Sequence, residues 1–173
     1  MDTLLTEEQI LLRKEIGSFL ETADREEASE VRTNELRRAF WGPERTLLAR
    51  ALALEELSRR DPGLARDLAG EDFDRLDLGP VYRSAVLLGK TAGLLDGRRG
   101  DLEPAGKSAQ RTVDLITALE TARFLTFRAA CLAGTAAEGA GAEAAKCEQL
   151  AVDIARRAAG AGRAGRLGEG ERP

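Results

Sequence analysis

Over most of the stretch from Glu7 to Ala158 apolar residues return every three or four positions, and no segment alternates apolar with polar residues over the length of a strand. That one period restricts the chain to helices. Leu12, Ile16, Phe19 and Leu20 form a first stripe, and Val31, Leu36 and Phe40 a second. Leu47, Ala51 and Leu54 form a third, with Leu48 and Leu57 beside it. Val81, Ala85, Leu88 and Leu95 follow, and Ala144, Cys147, Ala151, Ile154 and Ala158 make a late stripe of mostly small residues. Between them, residues 107–133 place Val113, Leu115, Ile116, Leu119, Phe124, Leu125, Phe127 and Leu132 around much of the cylinder. A helix apolar on several sides is buried on several sides, so a second subunit is expected to cover part of this one. Aromatic residues are only 4% of the chain, which leaves Leu, Ala, Val and Ile to fill the core.

Local signals place the breaks. Thr6-Glu7-Glu8-Gln9 reads as a capping box, with the acidic pair at the positive end of the helix dipole. Trp41-Gly42-Pro43 separates a helix over about 26–40 from one over about 44–60. Asp61-Pro62 is an N-cap followed by proline at the first helical position, opening a short helix to about Leu68. Gly70 to Pro80 is Asp-rich and aperiodic, hence a linker. A helix follows to Asp96, and Gly89 and Gly93 on it, four residues apart, predict a close helix–helix approach. A loop runs to Gly106. The last helix spans about 142–159, and the Gly- and Arg-rich end frays. The expected organisation is an N-terminal helical part (1–70), a linker (71–80), a C-terminal helical bundle (81–160) and a flexible tail (161–173).

With 173 residues, one domain can bury a core without disulfides or metals. The net charge is −4, whereas a protein that displaces counterions from phosphates carries a basic excess, which argues against nucleic acid as a partner. The chain has no histidine, the commonest general base and metal ligand. Cys131 and Cys147 fall on separate predicted helices without CxxC spacing and read as buried free thiols, so no metal site is assigned. The N-terminal stretch is amphipathic and acidic, unlike a signal peptide, and no apolar run approaches the roughly 20 residues of a membrane span. A cytoplasmic location is expected.

Four stretches, in order, resemble the acyl-CoA dehydrogenase family. They are Leu5-Thr6-Glu7-Glu8-Gln9, Ala51-Leu-Ala-Leu-Glu-Glu-Leu-Ser-Arg-Arg-Asp-Pro-Gly-Leu-Ala65, Leu119-Glu-Thr-Ala-Arg-Phe-Leu-Thr-Phe-Arg-Ala-Ala130 and Glu143-Ala-Ala-Lys146. The resemblance implies an all-α helical bundle in which N-terminal helices join a reduced C-terminal bundle. It also implies departures from the family. Between Asp61-Pro62 and the Val81 helix there is no room for the central β-domain, which supplies much of the flavin and acyl-CoA pocket. The family's Arg-x-x-Phe-Gly loop is replaced by Arg98-Arg99-Gly100. Glu169 and Glu171 do not match the catalytic carboxylate, and Val81 to Leu88, where some relatives carry that base, has none.

The family reaction needs a positioned carboxylate, stabilisation of an enolate-like charge and a flavin held in line. The sequence assigns no catalytic, cofactor-binding or metal-ligating residue. The expected function is therefore a subunit that is non-catalytic alone and has no cofactor of its own. It would form a homo-oligomer or dock on a full-length acyl-CoA dehydrogenase. The alternative is a dehydrogenase with FAD whose site a partner chain completes; a third reading is a small acyl-CoA or fatty-acid carrier. Residue by residue, the structural reading is favoured over the functional one. Arg98 and Arg99 read as a solvated loop before a phosphate contact, and Glu55-Glu56 as a capping or surface pair before acid–base work. Arg123 reads as half of an ion pair with Glu120, Asp114 or a group across an interface, before a ligand anion. Trp41 reads as inter-helix packing before an acyl pocket.

Overall fold

The computed structural model describes residues 6–22, 29–97 and 107–167. Among them are seven α-helices and no strand: α1 (Glu7–Thr22), α2 (Ser29–Phe40), α3 (Leu47–Arg60), α4 (Pro62–Ala69), α5 (Gly79–Asp96), α6 (Lys107–Gly134) and α7 (Ala140–Leu167). A 3-10 helix (Gly70–Phe73) lies between α4 and α5. No described helix is long and apolar enough to cross a membrane.

The starts follow cap chemistry. The Thr6 amide donates to Gln9 Oε1 (3.0 Å) and the Gln9 amide to Thr6 Oγ1 (3.4 Å), a reciprocal capping box. Helix α3 begins at Leu47, later than the expected Glu44, because Thr46 Oγ1 accepts from the Ala49 amide at 3.1 Å. The turn before it is held from the side: Arg45 donates to the Ala39 carbonyl and Arg50 to the Gly42 carbonyl, both at 3.0 Å. Asp61 closes one helix and opens the next. Its amide donates to the Leu57 carbonyl (2.7 Å), and its carboxylate accepts from the Leu64 amide (2.9 Å). Helix α7 continues past Ala159 to Leu167; its Ala-rich sequence offsets the cost of the interspersed glycines.

Two apolar clusters form the interior. The larger takes Leu12 and Ile16 from α1, Leu36 and Phe40 from α2, and Ala51–Leu54 and Leu57 from α3. Leu64 and Leu68 of α4, Val81 and Tyr82 of α5, and the facing ends of α6 and α7 complete it. The smaller lies farther along α5, α6 and α7 and consists of Leu88, Ala92, Leu95, Leu115, Leu119, Ala122, Ala151 and Ile154. The crossing of α3 and α5 lies between these two ends. A methyl group at Gly89 would overlap the Glu55 carbonyl oxygen, and one at Gly93 would overlap that of Arg59. The four-residue glycine spacing therefore permits the backbone contact predicted from it. Arg83 adds a polar tie, donating to the Phe73 carbonyl (2.7 Å) and pairing with Glu148 of α7 through Nε (2.6 Å) and Nη2 (3.0 Å).

Candidate functional site

The most deeply placed ionised group described is Glu55, on α3 where α1, α5 and α6 converge. It is 1% exposed. Its Oε1 accepts from Arg13 Nη2 of α1 (3.3 Å) and from Arg123 Nε of α6 (2.6 Å). Arg123 also donates through Nη1 to Glu120 Oε1, one turn back on α6. On the other side Arg13 Nε lies 3.5 Å from Glu56 Oε2, and Arg59 is 4.0 Å from the same oxygen. Arg59 in turn donates to Asp96 Oδ2 at the end of α5 (2.6 Å). The charges alternate along one path: Glu120, Arg123, Glu55, Arg13, Glu56, Arg59, Asp96. Four helices are tied by it.

Burial by itself would lower the Arg123 pKa, because desolvation disfavours the cation. The Glu55 and Glu120 carboxylates outweigh that and hold it above the ordinary arginine range. Arg123 is therefore a fixed cation at any physiological pH. Glu55 Oε2 is sealed from solvent and accepts no hydrogen bond among the described residues. A general base must reach the proton it abstracts within hydrogen-bond distance. Glu55 is closed to any substrate and turned onto two guanidinium groups, so the geometry makes it a structural ion, with a chemistry of helix attachment.

The expectation that Glu55 is a capping or surface residue is therefore corrected. Burying it requires two cations, and they arrive from positions 42 residues before and 68 residues after it in the chain. Nothing within one helical turn of Glu55 signals either partner. Glu56, its neighbour, is also buried, at the edge of an open groove of about 540 Å³ that Arg13, Lys14, Gly17, Arg59 and Arg60 also line. Arg123 does form an ion pair with Glu120, as the sequence reading allowed, whereas Asp114 accepts a hydrogen bond from Gln110.

Trp41 packs between helices, its ring centroid 5.2 Å from that of Tyr82, with the Arg50 guanidinium 5.4 Å above it. Cys147 is buried as expected, and burial pushes its thiol up. Cys131 is exposed, against expectation: it falls three residues beyond Arg128 and seven beyond Phe124 on the outward side of α6. Arg98, Arg99, Glu169 and Glu171 lie outside the described residues. Among the described residues no three of Cys, Asp or Glu gather into a metal-holding group. The outward side of α6 carries large apolar residues, Val113 (55% exposed) and Phe124 (50%), eleven positions apart and so on one face.

The chain matches no protein-family model, no curated protein and no solved structure.

Proposed function

We propose that this chain is an assembly subunit related to acyl-CoA dehydrogenases, non-catalytic by itself, that works by associating with its own copies or with a full-length flavin-dependent member of that family. The observation that carries the reading is α6. Leu115, Leu119, Ala122, Phe127 and Ala130 bury one side of it inside the chain, while Val113 and Phe124 stay half-exposed on the other. A helix apolar on opposite sides fits one that has a partner on each. Glu55 supports the non-catalytic part, since the most buried carboxylate among the described residues is locked between Arg13 and Arg123. The four stretches that resemble the family supply the rest.

Size-exclusion chromatography with light scattering, on the chain alone and mixed with a purified full-length acyl-CoA dehydrogenase, tests this. The expected result is a mass above that of one 18.6 kDa chain in at least one of the two samples. A monomer in both overturns it. Flavin absorbance that stays with the chain through purification, with dye reduction on adding acyl-CoA, would replace it by the FAD-dependent reading.

A further inference from the structure

Gln110, Asp114, Thr117, Thr121, Phe124, Arg128 and Cys131 follow one another along α6 in alternating steps of four and three residues, and all seven are exposed. That spacing marks one continuous face of α6, the kind of stripe along which two helices can lie side by side. Composition says how this seam can be buried. Thr117 and Thr121 donate their hydroxyls to the Val113 carbonyl (3.0 Å) and the Thr117 carbonyl (2.9 Å) of their own helix, so their hydroxyl protons need no outside acceptor. Phe124 is a large apolar group beside them. Asp114 and Arg128 lie seven residues to either side of Thr121, opposite in charge. Among the described residues neither forms an ion pair within 4 Å: Asp114 accepts only from the neutral Gln110 amide (3.0 Å), and Arg128 acts on the Glu143 carboxylate of α7 through its charge alone.

We infer that α6 pairs antiparallel with α6 of a second copy of this chain, about a two-fold axis near Thr121, with Arg128 of each copy set beside Asp114 of the other. The symmetry follows from the positions. Reversing the seam about residue 121 brings Thr121 against Thr121, Phe124 against Thr117, Arg128 against Asp114 and Cys131 against Gln110, so both copies present the same patch. A parallel pair would instead stack Asp114 on Asp114 and Arg128 on Arg128. The two cross-copy ion pairs therefore select orientation as well as partner. Glu120 borders the axis, but its charge is turned onto Arg123 of its own chain. Val113 adds apolar surface along one edge.

This pairing rests on the assembly reading above and goes further by naming the occupant, the helix and the register. Sedimentation equilibrium of the full chain measures the dimer constant, and a charge exchange tests the register. D114R alone and R128D alone should each weaken the dimer at least tenfold, and D114R/R128D together should restore it to within about threefold of the parent. Both positions are exposed, so circular dichroism should show the same helix content in all four proteins. In a C131S background, T121C should oxidise to a covalent dimer. The unmodified Cys131 should not, because antiparallel pairing keeps the two Cys131 residues about 30 Å apart. A dimer indifferent to the charge exchange, with no T121C cross-link, overturns the α6 pairing while leaving assembly through another face standing. A chain that stays monomeric at all concentrations overturns the pairing together with self-assembly.

Discussion

The two ends of the bundle are built differently. At one end five helices and the facing parts of α6 and α7 pack together, bordered on the inner side by Glu55, Gly89 and a line of alternating charges. At the other, α5, α6 and α7 alone close over Leu88, Leu95, Leu115, Leu119 and Ile154. The first end admits few replacements, because buried ions demand every partner and the glycines demand a backbone contact. The second is held by aliphatic packing, which tolerates changes of shape at graded cost. Specific chemistry thus sits where the N-terminal helices join the bundle, and the simpler end extends α6, whose outer face carries Val113 and Phe124 at the surface.

The comparison breaks most sharply at Arg123. Arg123→Ala leaves Glu55 with one cation and should cost about 3–5 kcal/mol in urea unfolding, the penalty of uncovering a buried charge. Replacing Arg13, Glu55 and Arg123 together by apolar residues of similar volume should cost less than Arg123→Ala, because Glu55 leaves with both its cations while Glu56 keeps Arg59 and Glu120 reaches solvent. Gly89→Val forces α5 away from the Glu55 carbonyl, and about 3 kcal/mol or more is expected. At the aliphatic end, Ile154→Val should cost only about 1 kcal/mol. If Ile154→Val proved as damaging as Arg123→Ala, the contrast between the ends would be lost.

A smaller effect separates the cysteines. One thiol, Cys131, should react with a disulfide reagent in the folded chain at mildly alkaline pH, and a second, Cys147, only on unfolding. The Cys147 thiol is raised by burial first, with Glu143 adding to it. Its un-ionised form is therefore the one the folded state favours. That contribution is complete below the unfolded thiol value and is lost as pH rises through the raised folded value. Stability should decline on the alkaline side, and less steeply in Cys147→Ala. An equal decline in both proteins would remove the thiol from the account.

Much of the local structure was legible in the residues themselves. Thr6 and Gln9 announce a capping box, Asp61-Pro62 a helix junction, and Gly89 with Gly93 a close crossing; each signal lies within one or two turns of what it controls. The helix that runs on to Leu167 was hidden by glycines, which read as a break although the alanines between them sustain the helix. Glu55 was illegible for a different reason. Its burial depends on two arginines distant in sequence, and Glu-Glu on a helix otherwise looks like surface. Cys131 was misread because α6 is apolar on more than one side, so its period does not say which side faces out.

The central claim is that Glu55 and Arg123 form one structural unit joining α3 to α6. A double-mutant cycle in urea with Glu55→Gln, Arg123→Met and the pair tests it most directly. The account predicts that the double variant is less destabilised than the sum of the single ones by about 2 kcal/mol. Additive losses, with a coupling near zero, would contradict it.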